Sequence, residues 1–421
     1  MANYLPRIAD TILQDRLESK GAVLVQGAKW CGKTTTASQI AKSVVYMQDP
    51  LLRDQYLQLA KLDTMQLLEG AVPRLIDEWQ LAPNLWDAVR VAVDQRNEFG
   101  QFILTGSAVP HDDMSTSHSG TGRIARMVMR PMSLFESQDS NGQVSLKSIF
   151  DNEKISGFSS HKLENLAFLI SRGGWPSAVG RTEKVALRQA FDYVDAVIES
   201  DISRADGTVR RPSRVRSLLR SYSRMVGSSG RMTQIREDMS AREPENFEIQ
   251  TISSYINALS LIFVIEELEA WNPNLRSNTA IRTSNTRHFV DPSIAVASLR
   301  IGPKDLINDL RTMGFLFESM CIRDLRIFTE ALEGDVYHYH DANDRECDAV
   351  LHLHDGRYGL VEIKLGVAQV EKAAENLKKI VDVLDINRMS APSFLMVLTG
   401  SGVAYQREDG IYVVPIGCLK N

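Results

Sequence analysis

Eight residues near the N-terminus, GAKWCGKT at 27–34, match the phosphate-binding pattern GxxxxGK[ST] in full. They follow an apolar run, AVLVQ, and they lead into TTTASQIAKSV, which is typical of a helix. A buried strand, a glycine-rich loop and a helix in this order allow backbone N–H groups to surround phosphates at a helix N-terminus. The chain is therefore predicted to contain an α/β domain that binds a nucleoside triphosphate.

Within this loop, each residue type predicts a role toward ATP. Lys33 is expected to reach the β- and γ-phosphates and to assist catalysis, and the Thr34 hydroxyl is expected to ligate Mg²⁺. Trp30 occupies a variable position, where it either stacks near the nucleotide or packs under the loop. The residues predicted to contact the nucleotide are Gly27, Ala28, Lys29, Trp30, Cys31, Gly32, Lys33, Thr34 and Thr35.

Two further apolar runs end in polar side chains. The run in VPRLIDEWQLAP ends at Asp77, which reads as the Walker B acid that holds Mg²⁺ through water. Glu78 follows directly, where a general base would polarise the attacking water, and this predicts hydrolysis in addition to binding. The run QFILTGS places Thr105 and Ser107 at a strand end, where a hydroxyl either contacts the γ-phosphate or the attacking water, or belongs to an ordinary turn.

Six stretches of the chain resemble, in order, a large family of bacterial and archaeal AAA-type ATPases. In that family a winged-helix segment and a restriction-endonuclease-like domain follow the ATPase. The stretches are YLPRIADTIL, LVQGAKWCGKTT, RLIDEWQLAPNLWDAVRVAVD, FILTGS, RMVMRPMSLFE and SRGGWPSAV. Lys29 stands where many relatives carry arginine, a difference of no consequence for phosphate binding by backbone amides.

The resemblance implies an α/β fold class made of four parts. These are an AAA-type P-loop ATPase core over residues 1–137, a linker and helical lid over 138–207, a winged helix over 208–300 and a C-terminal α/β restriction-endonuclease-like domain over 301–421. It also implies that Arg123 reaches the nucleotide of a neighbouring subunit, which leaves room for a homo-oligomer. On residue type alone, a surface salt bridge is the commoner role for such an arginine.

The middle of the chain carries a basic stripe and a helix that lacks basic residues. Arg216, Arg220 and Arg224 are four apart, so they share one side of a predicted helix and either follow a phosphate backbone or form a solvated face. The predicted recognition helix around residues 248–257 contains no Lys or Arg. Readers of DNA sequence usually add cationic phosphate contacts, so this favours binding to DNA without sequence specificity, or coupling to a protein partner.

The C-terminal stretch ECDAVLHLHDGRYGLVEIKLG, residues 346–366, reads as two strands around a turn. Strand residues two apart share a face, so Glu362 and Lys364 are expected to project to the same side, with Asp348 across from them on the neighbouring strand. The resemblance implies that Asp348, Glu362 and Glu318 ligate Mg²⁺ or Mn²⁺ and that catalytic Lys364 orients water for phosphodiester cleavage. The alternative is a sheet with charges on its wet face. Zinc at the strand histidines His338, His340, His352 and His354 is a further alternative.

Composition limits the partners and the setting of the protein. Among 421 residues, 43% are hydrophobic, the net charge is −5 and four cysteines are scattered, while no apolar run reaches the roughly 20 residues that a membrane span needs. We therefore expect a cytoplasmic protein without membrane contact, in which any nucleic acid binds to local patches. Two functions follow: an ATPase that remodels or processes nucleic acid, DNA being favoured, or a nucleotide-controlled signalling or defence switch whose C-terminal domain binds protein.

Overall fold

The computed structural model describes residues 4–107, 120–241, 248–272, 284–384 and 390–421. The described residues form two compact units. The first comprises the chain up to Pro131 together with Ile202–Val209 and Ala258–Phe263, and the second comprises Met132–Asp201, Arg210–Asn257 and Val264–Asn421. Within the described ranges, no helix is both long and apolar enough to cross a membrane.

The first unit is built on a parallel sheet whose described strands lie in the order β2-β3-β4-β1-β5. The strands are β1 (Ala22–Gln26), β2 (Ser43–Tyr46), β3 (Arg74–Asp77), β4 (Phe102–Gly106) and β5 (Ile124–Val128). The central strands β1 and β4 are almost continuously apolar because both faces of a parallel sheet are covered by other elements. Strand β4 lies between β1 and β3, so the carboxyl ends of these three strands meet at one edge.

Helices and apolar side chains cover the two faces of this sheet. One face packs a cluster around Trp79, Trp86 and Leu104, and the other packs a cluster around Leu13 and Ile103. The helices are α1 (Ile8–Ser19), α2 (Lys33–Ile40), α3 (Arg53–Leu62) and α4 (Asn84–Arg96), with short 3₁₀ turns at Thr64–Leu68 and Trp79–Leu81. Both faces of the sheet are therefore buried. The phosphate-binding loop follows β1, at the edge where the carboxyl ends of β1, β3 and β4 meet.

The second unit is largely helical in its first half. Three helices, α9 (Pro212–Ser223), α10 (Met232–Ser240) and α11 (Ile249–Leu261), are followed by two antiparallel bridges. These bridges join Ile265 with Phe289 and Leu268 with Thr286. This is the element order expected for a winged helix, and that assignment stays a prediction. The helices, some of whose residues belong to the first unit, are α5 (Leu146–Phe150), α6 (Leu163–Arg172), α7 (Glu183–Ala196), α8 (Ile202–Ala205), α9 (Pro212–Ser223), α10 (Met232–Ser240), α11 (Ile249–Leu261), α12 (Ser293–Leu299), α13 (Pro303–Asn308), α14 (Leu310–Glu330) and α15 (Val370–Val381).

The larger sheet of the second unit is mixed, and its described strands lie in the order β7-β12-β13-β11-β10-β9-β8. From α14 to β11 the elements follow one another in the order α-β-β-β-α-β, and β12 and β13 extend the sheet beyond it. The strands of the unit are β6 (Val144–Ser145), β7 (Gly157–Ser159), β8 (Gly334–His340), β9 (Glu346–Leu353), β10 (Tyr358–Lys364), β11 (Phe394–Thr399), β12 (Gly402–Gln406), β13 (Tyr412–Pro415) and β14 (Leu419–Lys420).

Residues 138–160, which the sequence suggests to be a linker or small insertion, contribute to both sheets of this unit. Strand β6 pairs in parallel with β14, and β7 pairs antiparallel with β12. Strands of two or three residues carry too little alternation to be seen in sequence. Their partners lie more than 240 positions away in the chain, so local pattern could not reveal them.

Candidate functional site

The two glycines of the phosphate-binding loop adopt backbone conformations that side chains disfavour. Gly27 has φ of +150°, and a Cβ atom there would lie 2.1 Å from the carbonyl oxygen of Met129. Gly32 has φ of +105° and immediately precedes Lys33, the first residue of α2. Since only glycine accepts such dihedrals without strain, these two positions fix the path of the loop into the helix N-terminus.

Lys33 folds over the loop that it follows. Its buried Nζ donates to the carbonyl oxygens of Gly27 and Ala28, each over 2.8 Å. Trp30 has φ of +64° and is 48% exposed, so it does not pack under the loop, whereas Cys31 is buried and its thiol donates to the Met129 carbonyl. The cationic side chain is therefore held against the backbone of the loop that is predicted to bind the phosphates.

Asp77, the last residue of β3, is hydrogen-bonded to side chains of both α2 and β4. Its Oδ1 atom accepts hydrogen bonds from the hydroxyl of Thr34 over 2.6 Å and from that of Thr105 over 2.7 Å. Asp77 and Thr105 are direct partners in the parallel register of β3 and β4. The predicted Walker B acid thus lies beside the predicted magnesium ligand, as the two roles require.

Glu78 has an unusual backbone conformation, with φ of 56° and ψ of 46°. This left-handed conformation is uncommon for a residue with a long side chain, and it is found more often at functional sites. The Oε2 atom of Glu78 accepts from Gln80 Nε2 and, over 3.4 Å, from the Ser107 hydroxyl. The structure therefore places Glu78 and Ser107 together at the end of β4.

Arg123 pairs with an acid of its own chain. Its Nε lies 2.8 Å from Oδ1 of Asp94 on α4, and both side chains are nearly half exposed. This hydrogen bond raises the pKa of Arg123 and lowers that of Asp94. The arrangement is the surface salt bridge expected from residue type, while contact with a neighbouring subunit stays a prediction.

A second polar cluster lies on β9 and β10. The Lys364 ammonium is 2.6 Å from Oε2 of Glu362 and 3.0 Å from Oδ2 of Asp348, which also accepts from the backbone N–H of Ile363 over 2.6 Å. Asn376 on α15 donates to Oε1 of Glu362 over 2.6 Å. The predicted placement of Glu362, Lys364 and Asp348 on one face is therefore what the structure shows.

Glu318 on α14 is a third carboxyl group that interacts electrostatically with this cluster. Burial raises the pKa of Glu318 well above its usual range, and Asp348 raises it further. Burial and Asp348 also raise the pKa of Glu362 to about 7, although Lys364 opposes the effect. Burial lowers the pKa of Lys364, but the two acids outweigh it and the net shift is upward. The acids thus crowd one another, and the lysine compensates part of their charge.

Metal ligation by Glu318, Asp348 and Glu362 stays a prediction. Nowhere in the described ranges do three His, Cys, Asp or Glu side chains take an arrangement that could hold a metal ion. The lysine ammonium occupies the position between two of the acids where a cation would have to bind. The strand histidines likewise have separate partners: His338 contacts the Ser284 carbonyl, and His354 lies 3.1 Å from Asp335.

The basic stripe on α9 is largely neutralised. Arg216 lies 3.6 Å from Asp195 and 3.4 Å from Glu199, and Arg224 lies 2.6 Å from Asp238. Exposed pairs of this kind are worth little to stability, but they reduce the positive charge that a helix face offers to phosphate. The stripe is therefore a weaker nucleic-acid surface than its sequence suggests.

Three residues at these sites are not identified by sequence patterns. Arg7 and Gln80 contact the phosphate-binding loop and Glu78 respectively, and Asn376 contacts Glu362. Asn376 had a visible signal, because it interrupts the apolar face of α15 formed by Ala373, Leu377 and Ile380. Arg7 and Gln80 had no such signal. Arg7 contacts a carbonyl 24 residues further along the chain, and Gln80 contacts the side chain of Glu78, whose backbone is left-handed.

Comparisons with known families match three separate parts of the chain. Residues 19–138 match a family described as AAA domain. Residues 163–305 match a domain of unknown function (DUF8612), and residues 313–419 match another domain of unknown function (DUF4143). A search of curated proteins returns no match.

One solved structure similar to the chain is described as the Walker-type ATPase PABY2304 of Pyrococcus abyssi. The similarity covers 71% of this chain and 96% of that chain, with 14% sequence identity and a TM-score of 0.44. The family match and the geometry of the loop agree on the first unit. Residues 19–138 are therefore similar to AAA domains, and they contain the complete phosphate-binding motif GxxxxGK[ST].

Proposed function

We propose that the first unit binds ATP with Mg²⁺ and hydrolyses it. The observation that carries the proposal is the position of Asp77, which accepts hydrogen bonds from both Thr34 and Thr105 at the edge where the phosphate-binding loop begins its helix. Strand-end carboxylates beside such a loop are the usual means by which P-loop ATPases hold their metal ion.

The residues present fit a magnesium ion. The Thr34 hydroxyl and the Asp77 carboxylate supply oxygen donors, which Mg²⁺ prefers, and they are already within 2.6 Å of one another. When bound, the ion would neutralise charge on the transferred phosphate. Thr34 would hold it directly and Asp77 through water, while Lys33 would leave the loop carbonyls to bind the β- and γ-phosphates.

Hydrolysis is assigned to Glu78 and Ser107. Glu78 would accept a proton from the attacking water, and the Ser107 hydroxyl, which donates to Glu78 over 3.4 Å, would orient the same carboxylate or the γ-phosphate. The strained backbone of Glu78 aims its side chain across the end of β4 toward Ser107. Glu78 is therefore the proposed general base.

Two variants of the full chain test this assignment. Lys33→Ala is expected to abolish tight binding of a fluorescent ATP analogue, because the loop loses its phosphate cation. Glu78→Gln is expected to keep the parent affinity and to stop phosphate release. Hydrolysis by the Glu78→Gln protein at the parent rate would refute the assignment of the general base.

We propose as a second activity that the C-terminal domain binds or processes nucleic acid under control of the ATPase. The observation in its favour is the convergence of Asp348, Glu362 and Lys364 on one strand surface beside Glu318. Because Lys364 pairs with both Asp348 and Glu362, cleavage would require its ammonium to give way to a divalent cation between these acids. The test is incubation of the protein with labelled DNA and RNA in Mg²⁺ or Mn²⁺, with and without ATP.

Lys364→Ala is the matched variant for that experiment. Cleavage by the parent that disappears in Lys364→Ala would support a nuclease-type site. Absence of cleavage in every condition would favour the alternative, a nucleotide-controlled switch whose C-terminal domain binds protein. The neutralised arginines of α9 are the observation that favours this alternative.

The two proposals also differ in ATP turnover and assembly. A nucleic-acid ATPase is expected to be stimulated by DNA or RNA, with a steep loss as salt rises. A switch is expected to keep the same turnover with nucleic acid but to change its oligomeric state with nucleotide. Light scattering in the presence of ATP or ADP, with Arg123→Ala beside the parent, measures that change and tests whether Arg123 serves a neighbouring subunit.

A further inference from the structure

Arg7 is a buried arginine at the start of α1, and it contacts the phosphate-binding loop. The residue is only 6% exposed. Its guanidinium donates from Nη1 to the carbonyl oxygen of Cys31 and from Nη2 to that of Arg130, each over 2.8 Å. Burying a cation costs free energy unless its donors are hydrogen-bonded, so these two contacts account for an arginine in this position.

The contact with Cys31 determines the direction of one loop amide. The Cys31 carbonyl and the Gly32 N–H belong to the same planar trans peptide, so they point in opposite directions. When Arg7 draws the carbonyl to its own side, the Gly32 N–H faces away from Arg7. In a P-loop the N–H groups at the helix N-terminus are the groups that bind phosphate.

The contact with Arg130 fixes the other side of the loop. Met129, the preceding residue, accepts a hydrogen bond from the Cys31 thiol over 3.2 Å and donates its own N–H to Gln26 over 2.7 Å. Its carbonyl oxygen also occupies the space beside Gly27. One guanidinium thus joins the loop to the segment that packs against it, a geometry that needs the forked donors of arginine.

The N-terminal segment also holds the first turn of α2. The Tyr4 hydroxyl contacts the buried Thr36 hydroxyl over 2.9 Å and donates to Asp10. Asp10 in turn accepts from the backbone N–H of Arg7 over 2.8 Å. Tyr4, Arg7 and Asp10 therefore connect the start of α1 to α2 through hydrogen bonds.

We propose that Arg7 is a positioning residue that orients the Gly32 amide toward the polyphosphate of the nucleotide. The inference rests on the proposed ATP binding of the first unit and adds a specific effect. Loss of Arg7 impairs contact with the phosphate chain, so it weakens the binding of ATP and of free tripolyphosphate alike. It leaves turnover at saturating ATP nearly unchanged, because Asp77 is held by Thr34 and Thr105, and Glu78 is held by Gln80 and Ser107.

The test compares Arg7→Met, Arg7→Lys and Arg16→Met in the full chain. Arg16 is a matched control because it lies on the same helix and donates to a backbone carbonyl of β5, that of Arg126, outside the loop. Affinity is measured with a fluorescent ATP analogue and by competition with tripolyphosphate. Thermal unfolding without nucleotide shows that each variant is folded.

Arg7→Met is expected to lower the affinity for both ligands about ten-fold, which corresponds to the loss of one charge-assisted hydrogen bond. Arg7→Lys is expected to fall between Arg7→Met and the parent, since lysine keeps the charge but lacks the planar forked donors that bond both carbonyls. KM is expected to rise with kcat changed less than about two-fold, and Arg16→Met is expected to match the parent.

Parent affinity in Arg7→Met would overturn the proposal. If Arg7→Met does not fold, Arg7→Lys decides: a folded variant with weaker affinity supports the proposal, and one with parent affinity overturns it. A parent protein that binds no ATP would instead refute the proposed function, and the inference with it. The two failures are therefore distinguishable.

Discussion

The Thr105 hydroxyl donates a hydrogen bond to Asp77 over 2.7 Å, between direct partners of two parallel strands. Because Thr34 donates to the same carboxylate oxygen, a change at the nucleotide can reach β4 through Asp77. Ser107, two residues beyond Thr105, contacts Glu78. The strand that carries the hydroxyls is therefore coupled both to the proposed metal ligand and to the proposed base.

Thr105→Val should lower turnover more than binding. The substitution keeps the side-chain volume but removes the donor to Asp77, so the carboxylate loses one of the contacts that fix its position. We expect phosphate release at saturating ATP to fall about ten-fold, which corresponds to about 1.4 kcal/mol. Thr64→Val is the control, because that hydroxyl bonds to the Ala60 carbonyl. Equal rates for Thr105→Val and the parent would contradict the coupling.

Gly27→Ala should destroy nucleotide binding for steric reasons. The added Cβ would meet the Met129 carbonyl oxygen at 2.1 Å, and φ of +150° is also strained for alanine. We expect an affinity loss of at least about 100-fold, or about 2.7 kcal/mol. Gly122→Ala controls for strain, since φ there is +86° but no atom lies within 4 Å of the new Cβ. Similar losses in both variants would show that the close contact is unimportant.

Lys364→Met should destabilise the second unit. It leaves the carboxylates of Glu362 and Asp348, whose side chains are 4% and 15% exposed, without their cation. We expect the free energy of unfolding to fall on the order of 3 kcal/mol. Adding Glu362→Gln should recover part of this loss, because one buried charge is removed.

Lys378→Met is the control for Lys364→Met. Lys378 lies 2.7 Å from Asp409, but its own side chain is 49% exposed. A surface pair should contribute less than about 1 kcal/mol. Urea titrations of five proteins (the parent, Lys364→Met, Glu362→Gln, their double variant and Lys378→Met) measure the differences, and an additive double variant would disprove the coupling between Lys364 and Glu362.

His288 should make the protein less stable as the pH falls. Burial first, and then Arg326 and His338, lower its pKa from 6.5 to about 3, although Glu266 opposes them. The folded chain thus binds the proton less readily than the unfolded chain does. The stability that neutral His288 contributes is complete above pH 6.5 and is lost as the pH falls toward 3. Between pH 7 and pH 5 this loss should be about 2 kcal/mol.

His288→Gln isolates this contribution, because glutamine does not titrate. The imidazole lies 3.2 Å from the Ser319 hydroxyl, and a side-chain amide preserves a polar contact there. We expect the variant to lose less stability than the parent between pH 7 and pH 5 in urea titrations at constant ionic strength. Identical slopes in the two proteins would show that His288 has no such effect.

The sequence predicts local features of this structure well. The strand, loop and helix around Lys33 and the convergence of Asp348, Glu362 and Lys364 follow from patterns of a few residues, and the structure contains both. Each depends on period or spacing within one segment or one hairpin. Such signals survive in sequence because the physics that produces them is local.

Features that depend on partners from distant segments were not predictable. Nothing near Arg216 or Arg224 indicates that acids from other helices neutralise them. Nothing near Arg7 indicates that a carbonyl 24 residues later needs its donors. The pairing of Thr105 with Asp77 likewise depends on strand order, which a single strand does not encode.

The pairing of β6 with β14 has a consequence for synthesis of the protein. The Ser140 hydroxyl bonds to the Leu419 carbonyl, a partner 279 residues further along the chain. A ribosome adds roughly 5–20 residues per second, so the segment before α5 waits on the order of tens of seconds for its strand partner. During translation, Val144–Ser145 therefore stays without its parallel partner strand until Leu419–Lys420 has been made.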